Sequence, residues 1–232
     1  MGDLNHIAQT IALTMGVAWA SGINLYASIF MLGIMGAAGS LALPPDLQIL
    51  ANPVIIGAAG IMYFVEFFAD KIPGLDTAWD GLHTFIRIPA GAAMAAGAAG
   101  SVDPAVMIAA AILGGGISAG SHLTKAGTRV LINTSPEPFT NWAASIGEDV
   151  MVIGGLYTAL NHPVIFIILL ILFLIFIAWL LPKIWRGIKS VFAAIGRFFG
   201  RKTAPTGPPP QQTIPPQQPG PPQPPQSPAE PV

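Results

Sequence analysis

Hydrophobic positions in this chain form six long apolar stretches separated by shorter polar segments. The clearest stretch, residues 164–181, contains no charge and no glycine. Its length is close to the ~20 apolar residues that a helix needs to cross the hydrocarbon core of a membrane. The pattern therefore predicts an all-α, polytopic transmembrane helical bundle of about six spans. The predicted spans are residues 7–38, 53–69, 85–100, 104–120, 143–160 and 164–181.

Local signals mark where several of these helices begin or break. Asn52 with Pro53, and Asp103 with Pro104, each place a capping side chain before a proline at the first helical position. Each signature opens an apolar helix, a polar segment and a second helix, which suggests a duplicated unit. In the first span, polar residues near Asn24 interrupt the apolar stretch and predict that the helix unwinds there or lines a polar interior.

The chain changes character after Pro182, and this change divides it into three parts. Residues 1–182 form the predicted transmembrane domain. Residues 183–202 contain six basic residues and no acidic one, with apolar residues on one helical face, which predicts a basic amphipathic helix on an anionic leaflet. Residues 203–232 hold 13 of the 23 prolines and predict a disordered Pro/Gln-rich tail. Basic residues favour the cytoplasmic side, so the C-terminus is predicted to be cytoplasmic.

Composition supports the membrane assignment and narrows the chemistry. Charged residues make up 9 % of the chain and hydrophobic residues 53 %, whereas soluble domains carry about 25 % charge. The absence of cysteine excludes disulfides, thiolate metal sites and a cysteine nucleophile. No phosphate-binding loop, single-helix zinc signature or serine elbow is present. We therefore predict no cofactor and no resident metal, and an enzymatic activity is left open but disfavoured.

Two polar elbows carry the charged residues that lie inside the apolar body. The first elbow covers residues 70–84, and the second begins at Ser121 and ends near Asn141. Charges near hydrocarbon are costly and usually pair with one another, face a wet cavity or mark a substrate path. The elbows are thus the candidate functional region. They lie either at the cytoplasmic surface or as re-entrant segments at mid-membrane depth.

The residue types in the elbows indicate two kinds of role. Arginine presents a planar fork to phosphate or carboxylate groups, and lysine and amide groups can assist it. The predicted substrate-binding residues are Lys71, Arg87, Lys125, Arg129, Asn133 and Ser135. Histidines and desolvated carboxylates can both exchange protons near physiological pH. The predicted proton- or cation-coupling residues are Glu66, Asp70, Asp76, Asp80, His83, His122 and Glu137.

Two other interpretations of the same residues stay open. The carboxylates and basic groups can simply neutralise one another as structural ion pairs. Alternatively, Asp76, Asp80 and His83 share a helical face, and oxygen and imidazole ligands together can hold a divalent cation. That arrangement would make the protein a metal-dependent membrane enzyme acting on lipid headgroups.

Four phrases of the sequence resemble a known group of proteins. They are GINLY at 22–26, LPPDLQILANP at 43–53, VEFFADKIPGLDTAWDGLHTFIRIPAGA at 65–92 and TKAGTRVLINTSPEP at 124–138. Together they resemble bacterial membrane proteins grouped as domain of unknown function 4126, over roughly residues 10–162. The resemblance implies a multi-spanning membrane protein and supplies no substrate and no catalytic residue.

The leading functional hypothesis is a transporter or flippase-like protein of the bacterial inner membrane that handles an anionic or phosphate-bearing substrate. The alternative from another class is a membrane scaffold whose Pro-rich tail recruits a cytoplasmic partner. Residues 183–202 are predicted to contact anionic lipids, and the small-residue helices allow a homo-oligomer. We predict no nucleic-acid role, because the only basic run belongs to a helix that lies on the membrane.

Overall fold

A computed structural model describes residues 2–100, 103–134 and 138–200 of the chain, and all regular structure in these ranges is helical. The predictions made for Ser135, Glu137 and the Pro-rich tail lie outside the described residues. The α-helices are α1 (Gly2–Ala37), α2 (Pro53–Ala69), α3 (Leu75–Ala99), α4 (Pro104–Ile132), α5 (Pro138–Asn161) and α6 (Pro163–Gly200). A 3-10 helix, Pro45–Ala51, precedes α2.

The predicted helix starts are confirmed at α2 and α4. The Asn52 side chain accepts a hydrogen bond from the backbone N–H of Val54, and the Asp103 side chain accepts one from Ala105. Each cap satisfies a backbone donor that has no partner inside the helix. Proline follows at the first helical position, where its missing N–H costs nothing.

The break predicted in the first span is also confirmed. Asn24 has non-helical backbone angles, φ −144° and ψ 96°, within α1. Its side-chain oxygen accepts a hydrogen bond from the backbone N–H of Ala27 at 3.0 Å. The chain changes direction here, because Leu13 before the break and Leu41 after the helix line the same pocket. Helix α1 is the central element and packs against every other α-helix.

The polar elbows are largely helical, which corrects the predicted boundaries. Helix α3 begins at Leu75 rather than near residue 85, and α4 continues to Ile132 rather than ending near residue 120. Only residues 70–74 separate α2 from α3. The polar residues of each elbow recur at helical spacing, so they form the inner faces of helices instead of loops. Their charges are compatible with helices because they are paired inside the bundle.

Within the described residues, three helices are long and apolar enough to cross a membrane: Asp3–Ala37, Pro104–Ile132 and Pro163–Ser190. A fourth span results if Pro45–Ala51 and Pro53–Ala69, bent by 68°, are counted as one. Helices α3 and α5 are long enough but are not apolar enough to be counted. Length and composition therefore support three or four spans and do not confirm six.

Helix α6 has an apolar exterior and continues without a break through the predicted boundary at Pro182. Several of its large side chains, among them Ile168, Leu172 and Trp179, are more than half exposed. Its 38 residues rise ~57 Å at 1.5 Å each, nearly twice the ~30 Å hydrocarbon thickness. The basic end of α6 therefore extends well beyond the apolar part of the same helix.

Small residues allow α1, α3 and α4 to cross closely. A Cβ atom added at Gly22 would overlap Ser121 Oγ and the carbonyl oxygen of Ser118, and one at Gly114 would overlap Ala95. Close backbone approach through small residues is a common way for membrane helices to pack. These small residues are therefore used within one chain.

We expect Gly22→Ala to destabilise the protein by about 1–3 kcal/mol, the usual cost of overpacking a tight contact. The backbone oxygen of Ser118 cannot move aside as a flexible side chain can. Gly116→Ala is the matched control, since a Cβ there meets no atom within 4 Å and alanine favours a helix. Thermal unfolding in detergent measures both variants, and equal midpoints would contradict the expectation.

Candidate functional site

Buried charged side chains from four helices meet in one cluster, which we call the charge network. Helix α2 contributes two carboxylates near its C-terminus, α3 contributes two more and an arginine, α4 contributes a lysine and an arginine, and α5 contributes one carboxylate. The members are Glu66, Asp70, Asp76, Asp80, Arg87, Lys125, Arg129 and Glu148. Seven of these eight residues were predicted from the sequence.

Helical spacing explains how each helix presents its charges together. Glu66 and Asp70 are one turn apart at the end of α2, and Asp76 and Asp80 are one turn apart at the start of α3. Lys125 and Arg129 are likewise one turn apart on α4. Each pair therefore shares one face of its helix, and these faces point into the bundle, where the side chains are buried.

Arg87 joins two carboxylates at a fully buried position. One terminal nitrogen forms a very short ion pair with Glu66 Oε1, and the other lies 3.0 Å from Asp80 Oδ1. All three side chains have 0 % exposure. A fully desolvated arginine is stable only when such partners compensate it.

Lys125 is the centre of the network, because its ammonium group lies close to carboxylates from three helices. Its Nζ atom is 2.8 Å from Asp70 Oδ2 and 3.1 Å from Glu66 Oε1 near the end of α2. It also lies 3.4 Å from Glu148 Oε2 on α5 and 3.7 Å from Asp80 Oδ1 on α3. It also donates a hydrogen bond of 3.2 Å to the backbone oxygen of Ile23. That carbonyl belongs to the residue immediately before the break in α1, so Lys125 ties the broken helix to the network.

Arg129 binds Glu148 with the two-pronged geometry that arginine favours. Nε and Nη2 donate to the two oxygens of Glu148 at 3.2 and 2.8 Å. Nη1 donates to the backbone oxygens of Asp70 and Asn141 at 2.8 and 3.2 Å. The guanidinium group therefore joins the turn after α2 to helices α4 and α5.

Asp76 and two asparagines close the end of the network near the 70–74 turn. Asn133 donates to Asp76 Oδ1 at 2.7 Å, and Asn141 donates to Asn133 Oδ1 at 2.7 Å. Asp76 also accepts from the backbone N–H groups of Gly74 and Thr77. Asn133, predicted to bind substrate, lies here as a link between α3 and α5.

Lys71 is separated from the other predicted substrate-binding residues. Its Nζ atom lies 2.9 Å from the centre of the Phe67 ring and donates to the Phe67 carbonyl and to Ser145 Oγ at 3.0 and 3.3 Å. Among the described residues, no carboxylate lies within ion-pair distance of it. Lys71 therefore contacts α2 and α5 rather than the network.

The two histidines predicted to couple protons or cations, His83 and His122, flank the network and make different hydrogen bonds. Arg87 donates to His122 Nδ1 at 3.3 Å, so this nitrogen accepts and Nε2 carries the proton toward Thr84 at 2.7 Å. His122 is thus neutral while Arg87 keeps this position. His83 Nδ1 donates to the Trp79 carbonyl at 2.8 Å, and His83 Nε2 pairs with the Tyr26 hydroxyl at 3.0 Å.

Three further polar residues, Glu148, Asp149 and Asn24, belong to the site or lie beside it but were not among the site residues predicted from the sequence. Asn24 Nδ2 donates to Asp149 Oδ1 at 3.1 Å, connecting the break in α1 to α5. The adjacent acids in an apolar stretch, and the polar residues inside the first span, were the available signals. Neither signal specifies which helices lie next to each other, so their pairing was not predictable.

The network contains five carboxylates and only three cations, which gives a formal charge of −2 when all are ionised. Four carboxylates each have one buried oxygen that accepts no hydrogen bond within the described part of the chain. These atoms are Glu66 Oε2, Asp70 Oδ1, Asp76 Oδ2 and Asp80 Oδ2. Because a buried carboxylate oxygen without a donor is unfavourable, the described donors leave the carboxylates of the network only partly compensated.

A pocket of about 350 Å³ reaches the network between helices α1, α4, α5 and α6. Lys125 and Glu148 line it, and Thr124 and Thr128 add hydroxyl groups from α4. The Glu148 side chain is 12 % exposed, whereas Glu66 and Asp80 are fully buried. Glu148 is therefore the carboxylate that the pocket makes accessible.

The structure does not bring Asp76, Asp80 and His83 together, which corrects the geometry expected for a metal-dependent enzyme. Asp76 binds backbone N–H groups and Asn133, Asp80 binds Arg87, and His83 binds Tyr26 and Trp79. Within residues 2–100, 103–134 and 138–200, no group of three or more His, Cys, Asp or Glu residues is arranged to hold a metal ion.

The fold and the site define an all-helical protein in which apolar, membrane-compatible helices enclose a network of paired charges. The chain belongs to the family described as Domain of unknown function (DUF4126), whose family model matches residues 11–183. This confirms the family resemblance and extends it past residue 162. Neither a curated protein nor a solved structure matches the chain.

Proposed function

We propose that the protein is a multi-pass membrane transporter in which proton binding to the charge network controls the binding of an anionic or phosphate-bearing substrate. The observation that supports this proposal is the pocket of about 350 Å³ lined by Lys125 and Glu148. These two residues form an ion pair of 3.4 Å that belongs to the buried network. An anionic group that enters the pocket would therefore contact Lys125 and Glu148 of the network directly.

The first step is protonation of Glu148, the accessible carboxylate. When ionised, Glu148 accepts hydrogen bonds from Arg129 Nε and Nη2 and lies beside Lys125 Nζ. A protonated carboxyl group attracts these cations much less. Since the network carries more carboxylates than cations, uptake of a proton also reduces its excess negative charge.

The second step is binding of the anion by the released donors. Lys125 lines the pocket, and Arg129 lies behind Glu148. Protonation of Glu148 would therefore leave an ammonium and a planar guanidinium group next to the pocket, and such groups bind phosphate and carboxylate well. Arg87 stays enclosed between Glu66 and Asp80 and positions the network. Lys71 has no part in this step, because it lies against Phe67 and Ser145. Proton and anion would then be released together on the other side.

The proposed orientation places the basic end of α6 in the cytoplasm of a bacterial cell, with the helices crossing the inner membrane. The six basic residues between 183 and 202 support this through the preference of lysine and arginine for the cytoplasmic side. Gly187 of α6 lies beside Leu131 of α4, and Asn133 contacts Asp76. The C-terminal end of α4, the 70–74 turn and the basic part of α6 therefore share one end of the bundle.

A second candidate is a membrane scaffold in which the network is purely structural and the tail recruits a partner. The observation favouring it is that Arg87, Lys125 and Arg129 are all paired with carboxylates of the same chain. In that case no substrate is needed to compensate the charges, and transport assays on the intact protein would show no activity.

The transport proposal is tested with the full chain reconstituted into vesicles containing a pH-sensitive dye. Gradients of sulfate, inorganic phosphate or short-chain phosphatidic acid are applied in separate experiments. We expect at least one of these anions to drive proton movement in the wild-type protein and none to do so with Lys125→Gln. Lys71→Gln is the matched control, a buried lysine outside the pocket, and should keep activity. Absence of anion-driven proton movement in the wild-type protein would overturn the proposal and favour the scaffold.

A further inference from the structure

An apolar groove lies on the side of α4 opposite the pocket that Lys125 and Glu148 line. The proposed transport function does not use this groove. It has a volume of about 550 Å³ and lies between α3, α4 and α6. This volume is within the ~300–1,000 Å³ range of small-molecule pockets. The residues that line it include Gly81, Leu123, Val130, Ile184, Trp185 and Ile188.

The chemistry of the groove suits a hydrocarbon chain. Its lining is aliphatic and aromatic apart from Thr77, whose hydroxyl already accepts a hydrogen bond of 2.8 Å from Asn133. Gly81 leaves open space, because a Cβ atom added there would have no neighbour within 4 Å. An occupant of the groove would therefore gain from burying apolar surface and would find no free polar partner inside it.

Two basic side chains of α6 lie beside the groove. Lys189 Nζ lies 5.3 Å from the centre of the Trp185 ring, which lines the groove. Arg186 is exposed and donates a hydrogen bond to the backbone oxygen of Pro182, another lining residue. Helix α6 contains no acidic residue, so it contributes only positive charge to this edge of the groove.

We propose that the groove binds one acyl chain of an anionic phospholipid, with the lipid phosphate held by Arg186 and Lys189. Tryptophan and lysine together are typical of the membrane interface, where a phosphate group lies above hydrocarbon. Both basic side chains contact residues that line the groove, Pro182 and Trp185, so one phospholipid can reach the groove and the two charges. Charge complementarity selects an anionic headgroup over a zwitterionic one, since each basic residue near the surface contributes about 1 kcal/mol.

The test uses the purified full chain after lipid removal in detergent, with lipid binding measured by native mass spectrometry. Phosphatidylglycerol is compared with phosphatidylcholine of identical acyl chains. We expect the wild-type protein to bind phosphatidylglycerol at least about tenfold more tightly, which corresponds to 1.4 kcal/mol. The variant Arg186→Gln/Lys189→Gln should lose this preference and keep the weak affinity for both lipids.

The groove itself is tested with Gly81→Leu, which fills open space and favours the helix, so the fold should be retained. It should weaken binding of both lipids. Gly116→Leu is the matched control, because its Cβ also lies in open space but outside the groove. Equal affinity of the wild-type protein for the two lipids, or unchanged binding in Gly81→Leu, would overturn the proposal. A change of oligomeric state in Gly81→Leu would instead assign the groove to a second copy of the chain.

Discussion

Replacing Arg87 with methionine is expected to lower the free energy of unfolding by about 3–5 kcal/mol, the cost of removing one partner from a buried ion pair. Arg87 is fully buried and compensates both Glu66 and Asp80. Methionine fills a similar volume but leaves both carboxylates without their closest cation. The measurement is unfolding of the purified protein in mixed detergent micelles, followed by helical circular dichroism.

Arg186→Met is the matched control for this prediction, because Arg186 is exposed and donates only to the backbone oxygen of Pro182. It should change stability little, as surface substitutions generally do. The double variant Arg87→Met/Asp80→Asn should recover part of the loss, since one uncompensated charge is removed. Equal stability of Arg87→Met and Arg186→Met would show that the network does not support the fold.

Replacing Glu148 with glutamine is expected to make anion binding independent of pH in the range where the wild-type protein responds to it. Glutamine imitates the protonated carboxyl group in size and charge, so the attraction of Glu148 for Lys125 and Arg129 would be permanently absent. At alkaline pH the variant should bind the anion about tenfold or more tightly than the wild-type protein, since a charge-assisted bond contributes ~1.5–3 kcal/mol. Coupled proton movement should be lost.

Binding and vesicle assays would use the anion that drives proton movement in the wild-type protein. Asp149→Asn is the matched control: this residue is adjacent on α5 but binds Asn24 and does not line the pocket. It should keep the pH dependence. If Glu148→Gln still moves protons with the anion, another carboxylate is the proton carrier. If it neither binds the anion nor unfolds, Glu148 itself holds the substrate through a different arrangement.

Features that depend on neighbouring residues were predictable from the sequence. The Asn52 and Asp103 caps act on backbone groups two residues away, and the α1 break arises from a polar residue inside an apolar helix. The elbow boundaries were wrong because Lys125 and Arg129 resemble loop residues when considered singly. Only the carboxylates of other helices make them acceptable inside α4.

The distinction between Lys71 and Lys125 also required the tertiary structure. Both lysines lie in polar segments of the sequence and both are buried. Lys125 meets carboxylates from α2, α3 and α5, whereas Lys71 lies against Phe67 and Ser145. Composition cannot separate these cases, because the energy of an ion pair depends on the distance and burial of its two charges.

The sequence by itself therefore determined the helical class, the apolar surface and the family, and it named seven of the eight charge-network residues as site candidates without their pairing. Helix formation and apolar burial follow from local composition and spacing. The tertiary structure decided which charges pair, placed Glu148 beside Lys125, and opened a pocket that both residues line. These outcomes depend on contacts between residues such as Ile23 and Lys125 that are distant in the chain. Helix packing determines their separation, and no local pattern encodes it.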